Sequence, residues 1–154
     1  MSSAQEILKI ERSVVLRAPR SRVWRALTQA DEFASWFNVT MRGDFVPGGR
    51  VTMETKYPGY EGLSFPLFVQ RMEPEHLFSW RWYPGAAVAA DEDPGKQTEV
   101  VFTLEEVAEG TRLTVVETGF ERIDLARRAK ALADNNEGWT AQLSNIEVYL
   151  RGAP

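Results

Sequence analysis

Between Arg122 and Leu150, the residues Leu125, Ala129, Leu132, Asn136, Trp139, Leu143, Ile146 and Leu150 recur at alternating spacings of four and three. That alternation holds side chains on one stripe of a helix with 3.6 residues per turn, so the segment predicts a long helix laid along an apolar surface. Asn136 is the polar member of the stripe. Gly138 costs a helix interior up to about 1 kcal/mol relative to Ala. Asn135-Asn136 has the chemistry to cap a new helix, so a continuous helix and a bent or two-piece helix both fit the pattern. In either case the rest of the chain has to supply a partner surface of comparable length.

The upstream residues supply it as strands. Ile7 to Arg17 reads as a first strand, with Ile10, Val14 and Leu16 alternating against polar neighbours; the alternation slips at Arg12-Ser13, which predicts a sheet edge or a small bulge. Ala18-Pro19 ends the strand, and Pro19 suits a first helical position. Val23, Trp24 and Leu27 then recur at helical spacing, and Asp31 is the expected cap of a second short helix carrying Phe33, Trp36 and Phe37. From Val39 to Phe120 the period is near two. Strands are expected at Arg50–Lys56, Phe65–Met72, Leu77–Tyr83, Glu99–Val107 and Thr111–Thr118. Short turns join most of them, which demands antiparallel pairing. Two loops stand out, Tyr57–Gly62 and the longer Pro84–Lys96. Strands flanked by helices, without alternation of strand and crossover helix, define an α+β fold in one domain spanning residues 1–154.

Composition excludes several functions. The chain has no Cys, which removes disulfides, thiolate metal sites and a Cys nucleophile. Its net charge is −4, and Arg122, Arg127, Arg128 and Lys130 are interrupted by Glu121 and Asp124. They read as a solvated helix face, and no nucleic-acid partner is expected. No apolar run approaches the roughly 20 residues that span a bilayer, and Met1 to Glu6 has no apolar signal core. No membrane partner is expected, and a cytoplasmic location is the default expectation. The lone His76 sits in a turn before a strand, a poor place for a general base. Neither metal-ligand spacing nor a nucleophile elbow is present, so no metal, cofactor or catalytic residue is assigned.

Several segments together resemble a known family. They are Val23-Trp24-Arg25-Ala26-Leu27, Trp36-Phe37, Pro47-Gly48-Gly49-Arg50, Leu77–Trp82, Glu99–Leu104, Gly110-Thr111-Arg112-Leu113-Thr114, Gly119-Phe120 and Gly138-Trp139. In that order they resemble the START-like or SRPBCC superfamily, and within it homologues of the activator of heat-shock protein 90 ATPase. The resemblance implies a helix-grip fold, in which a curved antiparallel sheet clasps a long C-terminal helix with a cavity between them. It implies no single activity, since relatives include ligand binders and a minority of enzymes.

Three functions follow as expectations. The first is binding of a small hydrophobic or amphipathic molecule in a cavity between sheet and helix. Phe37, Met53, Trp80, Trp82, Phe102, Trp139 and Leu143 would form its walls, Glu117 and Asn136 would orient a polar end, and the two loops would act as lids. Glu117 shares its strand parity with Leu113 and Val115, which aims it inward unless a bulge intervenes. The rings have a core-filling reading too, although three indole N–H groups at Trp80, Trp82 and Trp139 each need an acceptor. The second expectation is a cavity enzyme of the cyclase, dehydratase or hydrolase type with Glu117 as acid or base. The third is a chaperone-modulating interaction protein, which would present an exposed patch instead of a cavity. A homodimer is left open. The place to look first is beside Asn136 and Gly138, opposite Glu117.

Overall fold

Period-two burial along the longer strands gives the sheet one wet face and one dry face. The computed structural model describes residues 8–56, 61, 63–84 and 94–152. The order is β1 (Lys9–Leu16), α1 (Arg20–Thr28), α2 (Ala30–Phe37), β2 (Val39–Arg42), β3 (Arg50–Thr55), β4 (Ser64–Glu73), β5 (Leu77–Trp82), β6 (Thr98–Val107), β7 (Gly110–Thr118) and α3 (Leu125–Gly152). The seven strands pair antiparallel in the order β1-β7-β6-β5-β4-β3-β2. This is the helix-grip architecture, a curved sheet with α3 across its dry face. The loop residues 57–60, 62 and 85–93, the greater part of the two expected lids, lie outside the described residues.

Local chemistry explains the departures from expectation. β1 is a sheet edge whose ladder to β7 runs unbroken from Lys9↔Thr118 to Leu16↔Thr111. Its alternation fails because Arg12, on the inner parity, hydrogen-bonds the Asn136 side chain of α3 instead of entering the core. The sheet's irregularity lies in β4, between Val69 and Arg71. Pro19 is the N-cap of α1, its carbonyl accepting from the N–H groups of Arg22 and Val23 at 3.0 and 3.1 Å. Asp31 does not cap α2. Gln29 holds the cap position, and Asp31 falls in the first turn, where a carboxylate still complements the helix dipole. Gly138 does not break α3, which is continuous.

The space between sheet and helices is filled largely by rings. Trp80, Phe33, Phe78 and Phe102 are fully buried. Phe33 stacks on Phe37 with centroids 4.7 Å apart, Trp80 meets Phe33 edge-on at 5.8 Å, and Trp139 meets Phe102 edge-on at 5.6 Å. Such pairs add about 0.5–1.5 kcal/mol beyond the burial of their area.

Polar contacts tie the helices together. The Trp36 indole donates to the Ala26 carbonyl at 2.7 Å, joining α2 to α1. Glu32 of α2 accepts from Arg22 of α1 at 2.7 Å and from the Tyr149 hydroxyl of α3 at 2.8 Å. Burial disfavours the Glu32 charge, but these two hydrogen bonds and the pull of Arg22 and Arg25 outweigh it, leaving its carboxyl below the usual value of 4.5. A carboxylate with a depressed folded value stabilises the fold fully above the unfolded value, and that contribution disappears as pH falls through the folded one. Glu32→Gln should therefore cost stability at pH 7 and progressively less as pH falls below 4.5, measured by denaturant titration across pH.

Gly110, which opens β7, has a φ of +145°, and a Cβ built there would lie 2.2 Å from the Leu16 carbonyl oxygen. Both the conformation and the approach of β1 require glycine. Gly110→Ala should destabilise the fold by at least about 2 kcal/mol in equilibrium unfolding, because backbone would have to move.

Candidate functional site

Register decides where Glu117 points. It sits between Ile10 of β1 and Val100 of β6, on the parity of Leu113 and Val115, and is fully buried. A buried carboxylate requires hydrogen-bond donors. Here they come from three elements besides its own. Trp82 at the end of β5 donates its indole N–H to Oε2 at 2.8 Å, and the Thr98 hydroxyl at the start of β6 donates to the same oxygen at 2.5 Å. From α3, the Trp139 indole donates to Oε1 at 2.9 Å, while Asn135 Nδ2 lies 3.0 and 3.1 Å from the two oxygens. An ionised carboxylate offers about four lone-pair sites, and these donors occupy them. Glu117 is thus a hub joining β5, β6 and α3 rather than a base with a free face.

Trp82 and Trp139 find their acceptor in Glu117, whereas the Trp80 N–H, buried in the ring cluster, has no partner among the described residues. Leaving a buried donor unpaired costs about 1–3 kcal/mol, a cost the aromatic packing around Trp80 has to offset.

On the outer side of the hub lies a cleft of about 250 Å³ lined by Phe37, Trp82, Asp134, Asn135, Gly138, Trp139 and Gln142. Gly138 opens it, since a Cβ placed there would touch nothing within 4 Å. The Trp82 and Trp139 rings, 5.8 Å apart and inclined by 31°, form one wall. The Gln142 amide is committed to structure: Nε2 donates to the Phe37 carbonyl at 3.1 Å, and Oε1 accepts from Asn145 at 3.0 Å.

Of the residues expected at a site, Glu117, Trp82, Trp139 and Phe37 come together here. Met53, Trp80, Phe102 and Leu143 are buried core residues that do not line the cleft. Asn136 is corrected by one position. It points to Arg12 at the β1 edge, and Asn135 takes the inward place. The reason is the helical repeat, since Ala131, Asn135 and Trp139 are spaced by one turn and share the face that meets Glu117. The same spacing, read backward from Trp139, identifies Asn135 in the sequence. Thr98 and Gln142 carried no comparable signal. His76 is exposed in the β4–β5 turn, beside Arg20 at 3.3 Å. Among the described residues, no cluster of His, Asp or Glu could hold a metal ion, and no helix is long and apolar enough to cross a membrane.

A curved antiparallel sheet gripping a long C-terminal helix is the architecture of a START-like domain. Residues 17–151 match the family described as activator of Hsp90 ATPase homolog 1-like protein, and the chain belongs to that family. No curated protein matches the chain. Among solved structures, a Mesorhizobium loti protein is similar with a TM-score of 0.76 at 22% identity, covering 95% of this chain and 99% of its own. An Arthrobacter aurescens protein is similar with a TM-score of 0.77 at 18% identity, covering 99% and 91%. A Colwellia psychrerythraea protein, described as an Aha1 dimer, is similar with a TM-score of 0.67 at 20% identity, covering 92% and 94%. At these identities the likeness shows the fold.

Removing the hub tests it. Glu117→Gln substitutes an amide that brings its own donors against Trp82, Thr98, Asn135 and Trp139. It should destabilise the protein by about 1–3 kcal/mol and shift the indole N–H resonances of Trp82 and Trp139 while sparing that of Trp36. Unchanged Trp82 and Trp139 resonances would contradict the hub.

Proposed function

We propose that this domain binds a small, largely apolar molecule in the cleft beside the middle of α3, with Phe37, Trp82 and Trp139 as walls and Gly138 as the opening. The observation that carries this reading is the double duty of the hub. Three of the four residues that satisfy Glu117 are also cleft residues, so the carboxylate fixes Trp82, Asn135 and Trp139 in place before any ligand arrives. Pre-set side chains lose less entropy on binding. An apolar concavity with a few convergent polar groups is the usual form of a ligand site, and the START-like superfamily often holds hydrophobic ligands. The saturated oxygens of Glu117 favour binding over acid–base chemistry, because taking a substrate proton would require losing a partner. Self-association is a separate proposal, prompted by the Colwellia relative and checked by sedimentation.

A solvatochromic apolar dye should bind saturably and quench tryptophan fluorescence. Gly138→Leu should abolish that binding at little cost to folding, since the new side chain enters the open space of the cleft. Dye binding that survives Gly138→Leu would place the ligand elsewhere.

A further inference from the structure

We infer that the cleft selects a flat aromatic molecule of one or two rings that carries a hydrogen-bond donor, best of all a protonated amine, and rejects carboxylates. This rests on the binding reading above and adds the ligand's chemistry to it.

Most donors around the cleft are already committed. Both indole N–H groups are taken by Glu117, the Asn135 Nδ2 group lies against its two oxygens, and one N–H of Gln142 Nε2 is taken by the Phe37 carbonyl. Acceptors remain. Because Glu117 requires donors, the Asn135 amide is oriented with Nδ2 inward, which leaves Oδ1 as its free atom. Asp134, at the rim, adds a carboxylate. Its partner is Lys130 at 2.7 Å, whose side chain is 81% exposed. Exposed helix pairs of this kind contribute only about 0.3–0.5 kcal/mol, so a ligand ammonium held against the rings competes well for Asp134.

Size and shape point the same way. A volume of about 250 Å³ falls below the roughly 300–1,000 Å³ of sites for drug-sized ligands. The indole walls offer π faces, which attract both flat rings and cations. A ligand carboxylate would find both indole N–H groups committed to Glu117 and would face the Asp134 carboxylate.

Three probes that share one ring system test this: naphthylmethylamine, naphthylmethanol and naphthoate. Each is titrated into the full chain while the backbone amides from Asn135 to Gln142 and the indole N–H groups are followed by NMR. Affinity should fall in the order amine, alcohol, carboxylate, with the amine roughly tenfold tighter than the carboxylate. Asp134→Asn, at an exposed position, should leave the fold intact and bring the amine within about threefold of the alcohol. Naphthoate binding at these amides as tightly as the amine would overturn the donor selectivity while leaving the binding site standing. An amine-to-alcohol ratio untouched by Asp134→Asn would overturn the role of the rim carboxylate. Failure of all three probes to perturb α3 would overturn the selectivity and the binding reading together.

Discussion

A carboxylate with no access to water sits where β5, β6 and α3 meet, and the placement of its neighbours follows from the need to surround it with donors. Burying an ionised group unpaired would cost several kcal/mol. Two indoles, a hydroxyl and an amide remove that cost, and each is thereby held in one orientation. Apolar packing alone leaves aromatic side chains several acceptable arrangements. The Glu117 hub leaves Trp82 and Trp139 essentially one, and that rigidity gives the neighbouring cleft its shape.

Much of this was legible in the sequence. The period-two strands and the helix stripe predict the grip, and Glu117 faces inward as its parity with Leu113 and Val115 requires. What escaped the sequence came from choices that only packing makes. The indoles of Trp80, Trp82 and Trp139 could have filled a core or lined a cavity, and the structure divides them. Trp80 joins Phe33, Phe78 and Phe102 in a filled interior, while Trp82 and Trp139 turn their N–H groups to Glu117 and lend their rings to the cleft. Asn136 was displaced by Asn135 because adjacent helical residues differ by about 100°, and a stripe of mixed threes and fours leaves an error of one residue open. Asp31 looked like a cap because its chemistry suits one, yet the chain enters α2 two residues earlier, at Gln29.

The resemblance implied a cavity between sheet and helix. Around Trp80 and Phe102 bulky rings pack against one another, and beside Glu117 the described residues leave a cleft at Gly138. The size of the aromatic side chains limits the room around Trp80 in this chain.

The polar attachments of α3 have a further consequence. Asn135 reaches Glu117, Gln142 reaches the Phe37 carbonyl, and Tyr149 reaches Glu32. These three fall on every seventh residue, two turns apart, along one line of the helix. An apolar stripe by itself tolerates sliding, since a shift of one turn exchanges one greasy contact for another. A shift along this line would break all three polar contacts at once and cost Glu117, the Phe37 carbonyl and Glu32 a partner each. The line acts as a ratchet that sets the longitudinal register of α3 in its grip, in the way that a single buried polar residue fixes the alignment of a coiled coil.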